Sequence, residues 1–393
     1  MQKFEKHSPV VVTEVTTKHE LRQFMQYPNR LYADNPNYIP SFYGDDLSDW
    51  TPGKNPAFDY CEARCWLARR DGEIVGRIGA ILSHKANDKF GTHRMRFSQV
   101  DFVDDSEVSA ALFGTVERWA REKGCDQVHG PLGFTDMDRE GMLVEGFDRR
   151  SLFFTNYNAP YYLEHLTRLG YRKDVDWIEY RITVPEPGGA EAERLHKLSE
   201  FILKRKHLHV ATVHHKSEYG PFVRQVFELV NAAYAPLYGV VELSDEQIER
   251  YANKFIPLVD PDFVCFVVDE QDQLVAFGVT ALDPSVALKH SDGRLFPFGW
   301  AGVLNDLHHS DTLIMLLTAV RPDLQTEGIN AVMMDHVCQS CNRHGVRFAE
   351  TGPMLELNDH ILAQWKRLEK EQHKRRRCFI KDLDHDVNAA NAA

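Results

Sequence analysis

One stretch restricts the fold of this chain more than any other: residues 310–352, SDTLIMLLTAVRPDLQTEGINAVMMDHVCQSCNRHGVRFAETG. Residues 312–320 form an apolar run of strand length, and Pro322 breaks it because it has no N–H to donate. Ile329, Met333, Val337 and Cys341 then recur every four residues, on one face of a helix. Gly345 closes that helix, and residues 346–351 are short and strand-like. Gly328 stands at the turn where the helix begins. A strand–turn–helix–strand unit of this kind points backbone N–H groups outward at the helix start. A residue without Cβ there lets an anion approach them closely.

The same order of elements occurs earlier in the chain. Aligning Gly124 with Gly345 places Val116 on Val337 and Phe113 on Met334. In the first half, residues 10–14 read as a strand and 18–31 as a helix. Residues 61–69 and 73–82 alternate apolar and polar on either side of Asp71-Gly72, a strong hairpin signal. A strand at 95–103 follows, then a helix with Val108, Leu112, Val116 and Trp119 on its apolar face, and a short strand at 126–130. Strand 151–155, helix 159–169 and strand 175–184 complete the half. Pro185 to Gly189 form the best linker, after which the pattern restarts. Helices are expected at 191–206 and 219–234 and after Ser244, with a hairpin at 263–268 and 274–281. A helix at 358–368 and a strand at 375–381 end the second half. The expected fold class is α/β (α+β). Two tandem domains, residues 1–187 and 188–383, each hold a mixed, mostly antiparallel twisted sheet flanked by helices, and residues 384–393 form a flexible tail. Glu107 of the first half aligns with Gly328 of the second. Its Cβ and charge oppose a phosphate, so a phosphorylated cofactor belongs on the second half.

Composition excludes several function classes. A net charge of −12 argues against non-specific nucleic-acid binding. No segment approaches the ~18 consecutive apolar residues of a membrane span. The start, MQKFEKHSPVVV, lacks a secretory apolar core and cleavage site, and seven cysteines is an odd number. Reduced thiols in a cytoplasm are therefore expected. Cys338 and Cys341 fall inside a helix, the second on its apolar face, which favours packing over redox chemistry. His207 and His209 alternate along a strand, but no cysteine or carboxylate stands at ligand spacing, so no metal is expected.

The turn reads Gln325-Thr326-Glu327-Gly328-Ile329-Asn330-Ala331. It resembles the pyrophosphate loop of the GNAT superfamily of acyl-CoA-dependent N-acyltransferases, Arg/Gln-x-x-Gly-x-Gly/Ala after the fourth strand. Gln325 and Gly328 match, and Asn330 stands where a small residue is usual, with Ala331 just beyond. The resemblance covers nearly the whole chain in element order. It implies acyl-CoA as co-substrate, bound by residues 325–331, with the pantetheine arm along Leu317, Ala319 and Val320 and with Asn358 opening the last helix. The phrases KNPAFDYCEA, GPLGFTDMDREGMLVEGFD and NAPYYLEHLTRLGYRKDVDWIEYRI resemble bacterial tandem-GNAT proteins, near which bacterial ceramide synthases stand. Those enzymes acylate the amine of a sphingoid base.

Acylating an amine requires removal of its proton, donors for the developing oxyanion and an acid for the leaving thiolate. The superfamily often places a Glu on the fourth strand and a Tyr after the fifth. This chain has no acid in residues 312–320 and no Tyr in residues 350–381. Either the base lies elsewhere or the activity is gone. Glu350 ends the fifth strand and either faces the cleft or is a solvated edge residue. In the first half, Asp136, Asp138, Arg139, Glu140, Glu145 and Asp148 crowd one loop among Phe134, Met142 and Phe147, as a site or as a lock of salt bridges. Tyr157 follows as a candidate acid, or as a core tyrosine. The catalytic candidates are thus Glu350, Tyr157, Asp136, Asp138 and Glu145. The basic run Lys374 to Arg377 meets either CoA phosphates or an anionic membrane, or is a solvated strand entry. The insertion GRLFPFGWAGVLNDL is a lid on the core, an apolar wall for a long acyl chain or a membrane-contacting element.

The sequence therefore points to a cytoplasmic acyl-CoA-dependent N-acyltransferase with a small or lipid-like amine acceptor, a sphingoid base among the options. The amine is expected between the halves, and peripheral membrane contact is compatible with this reading. The rival is a non-catalytic acyl-CoA-binding protein with a degenerate site.

Overall fold

The hairpin expected at Asp71 and Gly72 anchors the first sheet of the computed structural model, which describes residues 8–383. Both turn residues have positive φ, 52° and 87°, the geometry of a two-residue turn whose twist matches its strands. The expected tail at 384–393 lies outside the described residues. In chain order the first elements are β1 (Val11–Glu14), α1 (Lys18–Leu31), α2 (Tyr43–Asp49), β2 (Cys61–Arg70), β3 (Glu73–Ser83), α3 (His84–Phe90) and β4 (Arg94–Phe102). There follow α4 (Ser106–Glu122), β5 (Gln127–Gly130), β6 (Met142–Glu145), α5 (Tyr161–Arg168), β7 (Arg172–Thr183), α6 (Ala190–Lys206), β8 (His209–Val210), α7 (Gly220–Tyr234) and α8 (Asp245–Phe255). The rest are β9 (Val264–Val268), β10 (Leu274–Leu282), α9 (Ser285–His290), α10 (Gly299–His309), β11 (Thr312–Val320), α11 (Asn330–His344), β12 (Phe348–Glu350), β13 (Met354–Leu355), α12 (Asp359–Ala363) and β14 (Lys370–Asp382).

The chain divides into two compact units. The first is Met1–Asp176 with Asp292–Arg294 and Arg375–Ala393, and the second is Trp177–Ser291 with Leu295–Lys374. This differs from the expected boundary at 187/188. The linker is where expected, but strand pairing assigns the neighbouring strands otherwise. From Trp177 onward β7 pairs β12, in the register Phe348↔Thr183 and Glu350↔Arg181, and belongs to the second unit. From Arg375 onward β14 pairs β5, in the register Phe379↔Gly130 and Asp382↔Gln127, and belongs to the first. Each sheet is thus completed by the strand that ends the other half of the sequence, a pairing that no local pattern encodes.

In the first unit the strands run β1-β2-β3-β4-β5-β14, with β6 on β14. Only β4 and β5 are parallel, over Arg94↔Gln127 to Arg96↔His129. The parallel connection is α4, whose Val108, Leu112, Phe113, Val116 and Trp119 are buried against the sheet, as the periodicity requires. The second unit repeats the plan with β8-β9-β10-β11-β12-β7 and β13 on β7. Its parallel pair, β11 and β12, matches only Thr312↔Phe348 to Ile314↔Glu350. Helix α11 connects them, and Val332, Met333, Cys338 and Cys341 are buried in that unit's core.

Other local expectations fail for identifiable reasons. Residues 151–155 form no strand. The Ser151 N–H goes to Asn37 O and the Thr155 N–H to Leu152 O, so the segment is a buried turn. The helix expected at 358–368 stops at Ala363 and continues as turns, which let Trp365 tuck into the core. The basic run is neither a free cationic patch nor a solvated entry. Lys374 and Arg376 are fully buried, and Arg375 and Arg377 both pair with Asp176 in the first unit. The insertion packs onto the unit only in part, because Val303 is buried while Phe296, Phe298, Trp300 and Leu304 are exposed.

The first unit also buries an ion pair. Arg77 on β3 reaches Asp101 on β4 through Nε at 2.8 Å and Nη2 at 2.7 Å, and donates to Phe24 O on α1 at 2.9 Å. Removing one partner strands a buried charge. Asp101→Ala should lower the unfolding free energy by about 3–5 kcal/mol in a urea titration. A loss below about 1 kcal/mol would show that water reaches Arg77.

Candidate functional site

A cleft of about 190 Å³ opens in the second unit where β11 and β12 part. Two sequence features force the parting. Leu316 bulges out of the β10–β11 ladder, because Val279 pairs Leu317 while Thr280 pairs Met315. The bulge bends β11 away. After Glu350 the chain turns at Gly352-Pro353, and Pro353 has no N–H for a ladder. Beyond Ile314, the outer edge of β11 therefore has no strand partner among the described residues. Its carbonyls find side chains instead. Tyr234 Oη, from the end of α7, donates to Thr318 O at 2.7 Å, and Gln325 Nε2 donates to Val320 O at 3.3 Å. The cleft walls are otherwise mostly apolar, with Met315, Met333, Met334, Met354 and Trp365 among them and Thr280, Asn330, Thr351 and Gln364 as polar members. An edge that satisfies its carbonyls with side chains can accept an extended, amide-bearing ligand in their place.

The turn 321–331 lies at the open end of that edge. Its backbone bonds run from Leu324 N–H to Arg321, Glu327 N–H to Leu324, Ala331 N–H to Gly328 and Val332 N–H to Ile329. The N–H groups of Thr326, Gly328, Ile329 and Asn330 have no backbone partner among the described residues. Gly328 has φ +82°, a conformation costly for any residue with a Cβ. Lys206, in the last turn of α6, pairs with Glu327 at 2.7 Å and lowers its pKa. The helix start thus offers N–H groups to an anion, while Lys206 offsets the Glu327 charge beside them.

The expected cofactor residues separate into two groups. Leu317 and Asn330 line the cleft, and Gln325, Thr326, Glu327 and Gly328 form the exposed turn. Ala319, Val320, Ile329 and Ala331 are buried and shape the turn from behind. Asn358 caps α12, accepting the Ile361 N–H at 3.3 Å, as an N-cap should.

The catalytic candidates do not converge on the cleft. Glu350 is buried in an ion cluster in the second unit, with Arg181 at 3.2 Å on Oε1 and Lys374 at 3.3 Å on Oε2. Lys374 also meets Glu179 at 3.1 Å. Both Glu350 oxygens are engaged, so proton abstraction would break a buried pair. Tyr157 lies in a tyrosine cluster of the first unit. It accepts from Asn35 at 2.7 Å and donates to Phe147 O at 3.1 Å, so its hydroxyl is spent. Glu145 pairs with Arg375 at 3.2 Å on the neighbouring strand. Asp138 folds back onto its own loop and accepts the N–H groups of Phe134 and Thr135. Asp136 and Glu140 share a partly buried place. Burial, aided by the Asp138 charge, raises Asp136 to about 6; burial and Asp136 push Glu140 well above its usual range. Sequence reasoning missed Tyr234, which it read only as the end of the helix at 219–234. Among the residues lining the cleft, the titratable ones are Tyr234, Cys338 and Cys341. Burial raises the two thiols to about 11 and about 12, which keeps them protonated and inert.

The corresponding place in the first unit is filled by its own side chains. Asp105 caps α4, accepting the Glu107 N–H at 2.8 Å and the Val108 N–H at 3.4 Å. Arg70 clamps Asp105 and Glu107 at 2.5 Å and 2.8 Å. At the free end of β4, Tyr162 Oη accepts the Phe102 N–H at 2.8 Å, and Tyr161 donates to Phe102 O. His129, Asp174 and Cys378 of this unit also bring ligand atoms within 4.8 Å of one another. Arg94 lies 4.0 Å from Asp174, and burial followed by the Arg96 and Arg94 charges lowers His129. Two guanidinium groups there oppose a divalent cation.

No family model matches the chain. It is 27% identical to Protein YghO of Escherichia coli over 379 residues, 95% of each chain. It is 28% identical to the Bacterial ceramide synthase of Caulobacter vibrioides over 300 residues, 75% of each. Among solved structures, a tandem GNAT protein from the clavulanic acid biosynthesis pathway superposes with a TM-score of 0.54 at 13% identity, covering 96% of this chain and 99% of that one. A GCN5-related N-acetyltransferase from Sphaerobacter thermophilus gives 0.52 at 13% identity, covering 96% of each. The chain has the tandem GNAT fold.

The acidic loop carries a pH signature. Asp136 is raised above the unfolded carboxyl value of about 4, so the folded state holds its proton more tightly. Its contribution to stability is therefore present at low pH and lost as pH rises from about 4 through 6. Asp136→Asn should stabilise the protein near neutral pH, by up to about 3 kcal/mol, and have little effect below about pH 4. Equal effects at both pH values in urea titrations would contradict this origin.

Proposed function

We propose that the chain is an acyl-CoA-dependent N-acyltransferase whose cofactor binds the second unit and whose acceptor is a primary amine of a small or lipid-like molecule. One observation carries this reading. The unpaired edge of β11 leads directly into a positive-φ glycine turn in which the N–H groups of Thr326, Gly328, Ile329 and Asn330 have no backbone partner among the described residues. The 28% identity to a protein named as a bacterial ceramide synthase adds a sphingoid base to the acceptors to be tried.

The residues present fit acyl-CoA. The N–H groups of Thr326, Gly328, Ile329 and Asn330 suit a diphosphate, and Lys206 offsets the Glu327 charge beside them. The carbonyls of Thr318 and Val320 suit the amides of the pantetheine arm. Acyl-CoA supplies an activated thioester, whose C–S bond breaks as the amide C–N bond forms. The amine loses one proton and the departing thiolate gains one. The chain's main contribution is to hold two reactants side by side in a cleft whose apolar walls exclude water. Tyr234 is our candidate to give the thiolate its proton, because it lines the cleft and its hydroxyl reaches the β11 edge.

A second reading rests on a specific observation. Among the described residues no carboxylate lines the cleft, and Glu350 is engaged by two cations, as in a cofactor-binding protein without catalysis. Incubation with acyl-CoA and a panel of amines that includes sphingoid bases, followed by mass spectrometry, separates the two. An N-acylated product supports catalysis; CoA binding without product on any amine supports the second reading. Gly328→Glu should abolish the thermal stabilisation by CoA, since a ligand that binds only the native state raises Tm. Unchanged stabilisation would place the cofactor elsewhere. Tyr234→Phe should reduce kcat about a hundredfold with little change in KM. An unaltered kcat removes Tyr234 from the proton path.

A further inference from the structure

The insertion between β10 and β11 carries the two most exposed large apolar side chains among the described residues, Phe296 and Phe298. Phe296 is 81% exposed, Phe298 80%, Trp300 48% and Leu304 46%. Single exposed hydrophobes are ordinary, but four within nine residues make a patch. Helix α10 divides its surface between two duties. Its inner face is Gly302, Val303 and Asp306. Val303 is buried, Gly302 faces Ala287 of α9, and the Asp306 carboxylate accepts the Ala287 N–H at 2.7 Å. Its outer face is Trp300, Ala301, Leu304 and His308, spaced for one side of a helix. Trp300 Nε1 donates to Pro297 O at 3.2 Å, so the indole can leave water without an unsatisfied N–H.

We infer that this aromatic tip inserts into the surface of a lipid bilayer. The area argues against a second copy as the occupant. The exposed parts of the four side chains amount to roughly 500 Å². A stable protein–protein interface needs about 800 Å² from each partner. The charge pattern argues for lipid. The whole chain is −12, yet residues 295–309 contain one carboxylate, Asp306, and it is turned inward. The other ionisable groups of residues 295–309 are His308 and His309, so no outward carboxylate of this segment opposes a phosphate-bearing surface. No described helix is long and apolar enough to cross a membrane, so the contact is peripheral. Aromatic side chains at headgroup depth supply the affinity, and salt should affect it little. The inference is independent of acyl transfer, because none of these residues lines the cleft.

The tip contains its own reporter. Trp50, Trp66, Trp119, Trp177 and Trp365 are all at most 6% exposed, leaving Trp300 as the tryptophan that meets water. Phosphatidylcholine vesicles, with and without phosphatidylglycerol, should shift the emission of the full chain to the blue and carry it upward in flotation. Both effects should survive about 0.5 M salt. Phe296→Ser with Phe298→Ser should cut flotation at least about tenfold while leaving the melting temperature unchanged. Trp300→Phe should remove the blue shift and keep flotation. Two results would overturn the inference. One is no flotation on either vesicle. The other is a concentration-dependent dimer, seen by light scattering without lipid and abolished by the double variant.

Discussion

The second unit depends on one constraint: β11 has more length than its parallel partner can pair. Only three residue pairs join β11 to β12, whereas β11 has nine residues. Every backbone group on the remaining outer edge must be satisfied by something other than a strand. The bulge at Leu316 and Pro353 prevent the gap from closing. A permanently unpaired edge within a sheet is costly unless it is covered or used. Here Tyr234 and Gln325 cover two carbonyls with side-chain donors, which can rotate away at little cost. The apolar walls make the same edge attractive to an extended molecule that brings its own amides.

The first unit shows what the same geometry becomes when it is closed. Its parallel pair also matches only three residues, and its helix also starts beside the free strand end. There the helix start is capped by Asp105, an acid held in place by Arg70, and Tyr161 and Tyr162 take the strand end. An anion arriving there would compete with a covalently tethered carboxylate and meet Glu107. The difference between the two turns is therefore chemical rather than topological. A glycine leaves the N–H groups exposed, and an Asp-Ser-Glu sequence uses them internally.

Much of this was legible in the sequence, and the limits have physical causes. Helices with a clear apolar face, such as α4 and α11, and the Asp71-Gly72 hairpin were readable because they depend on neighbours within a few residues. The need for a residue without Cβ at Gly328 was readable from its place between a strand and a helix, whereas its positive φ is a finding of the structure. The pairing of β14 with β5 and of β7 with β12 was not readable, because both choices are decided by contacts far apart in sequence. The same limit hid the site chemistry. Glu350 seemed available as the end of a strand, yet Arg181 and Lys374, distant in sequence, neutralise it. The run Lys374 to Arg377 seemed exposed because four adjacent cations usually are; in a strand, alternate members face the interior, and their counter-ions come from other strands.

These burials bear on where catalysis can come from. A buried, paired carboxylate is fixed in place and in charge, which suits a sheet that must hold its shape beside an open gap. It suits a base poorly, since a base must accept a proton without losing its partners. In the second unit the ion cluster of Glu350, Lys374, Glu179 and Arg181 is thus better understood as the strut behind the cleft. It ties β12 to β7 and β14 where β11 departs. An acyl transfer in such a cleft draws its rate chiefly from position and the exclusion of water, with Tyr234 as the proton donor at hand. An amine that arrives already deprotonated removes the need for a dedicated carboxylate. The cleft walls favour that state, because an apolar surface destabilises an ammonium ion more than the neutral amine.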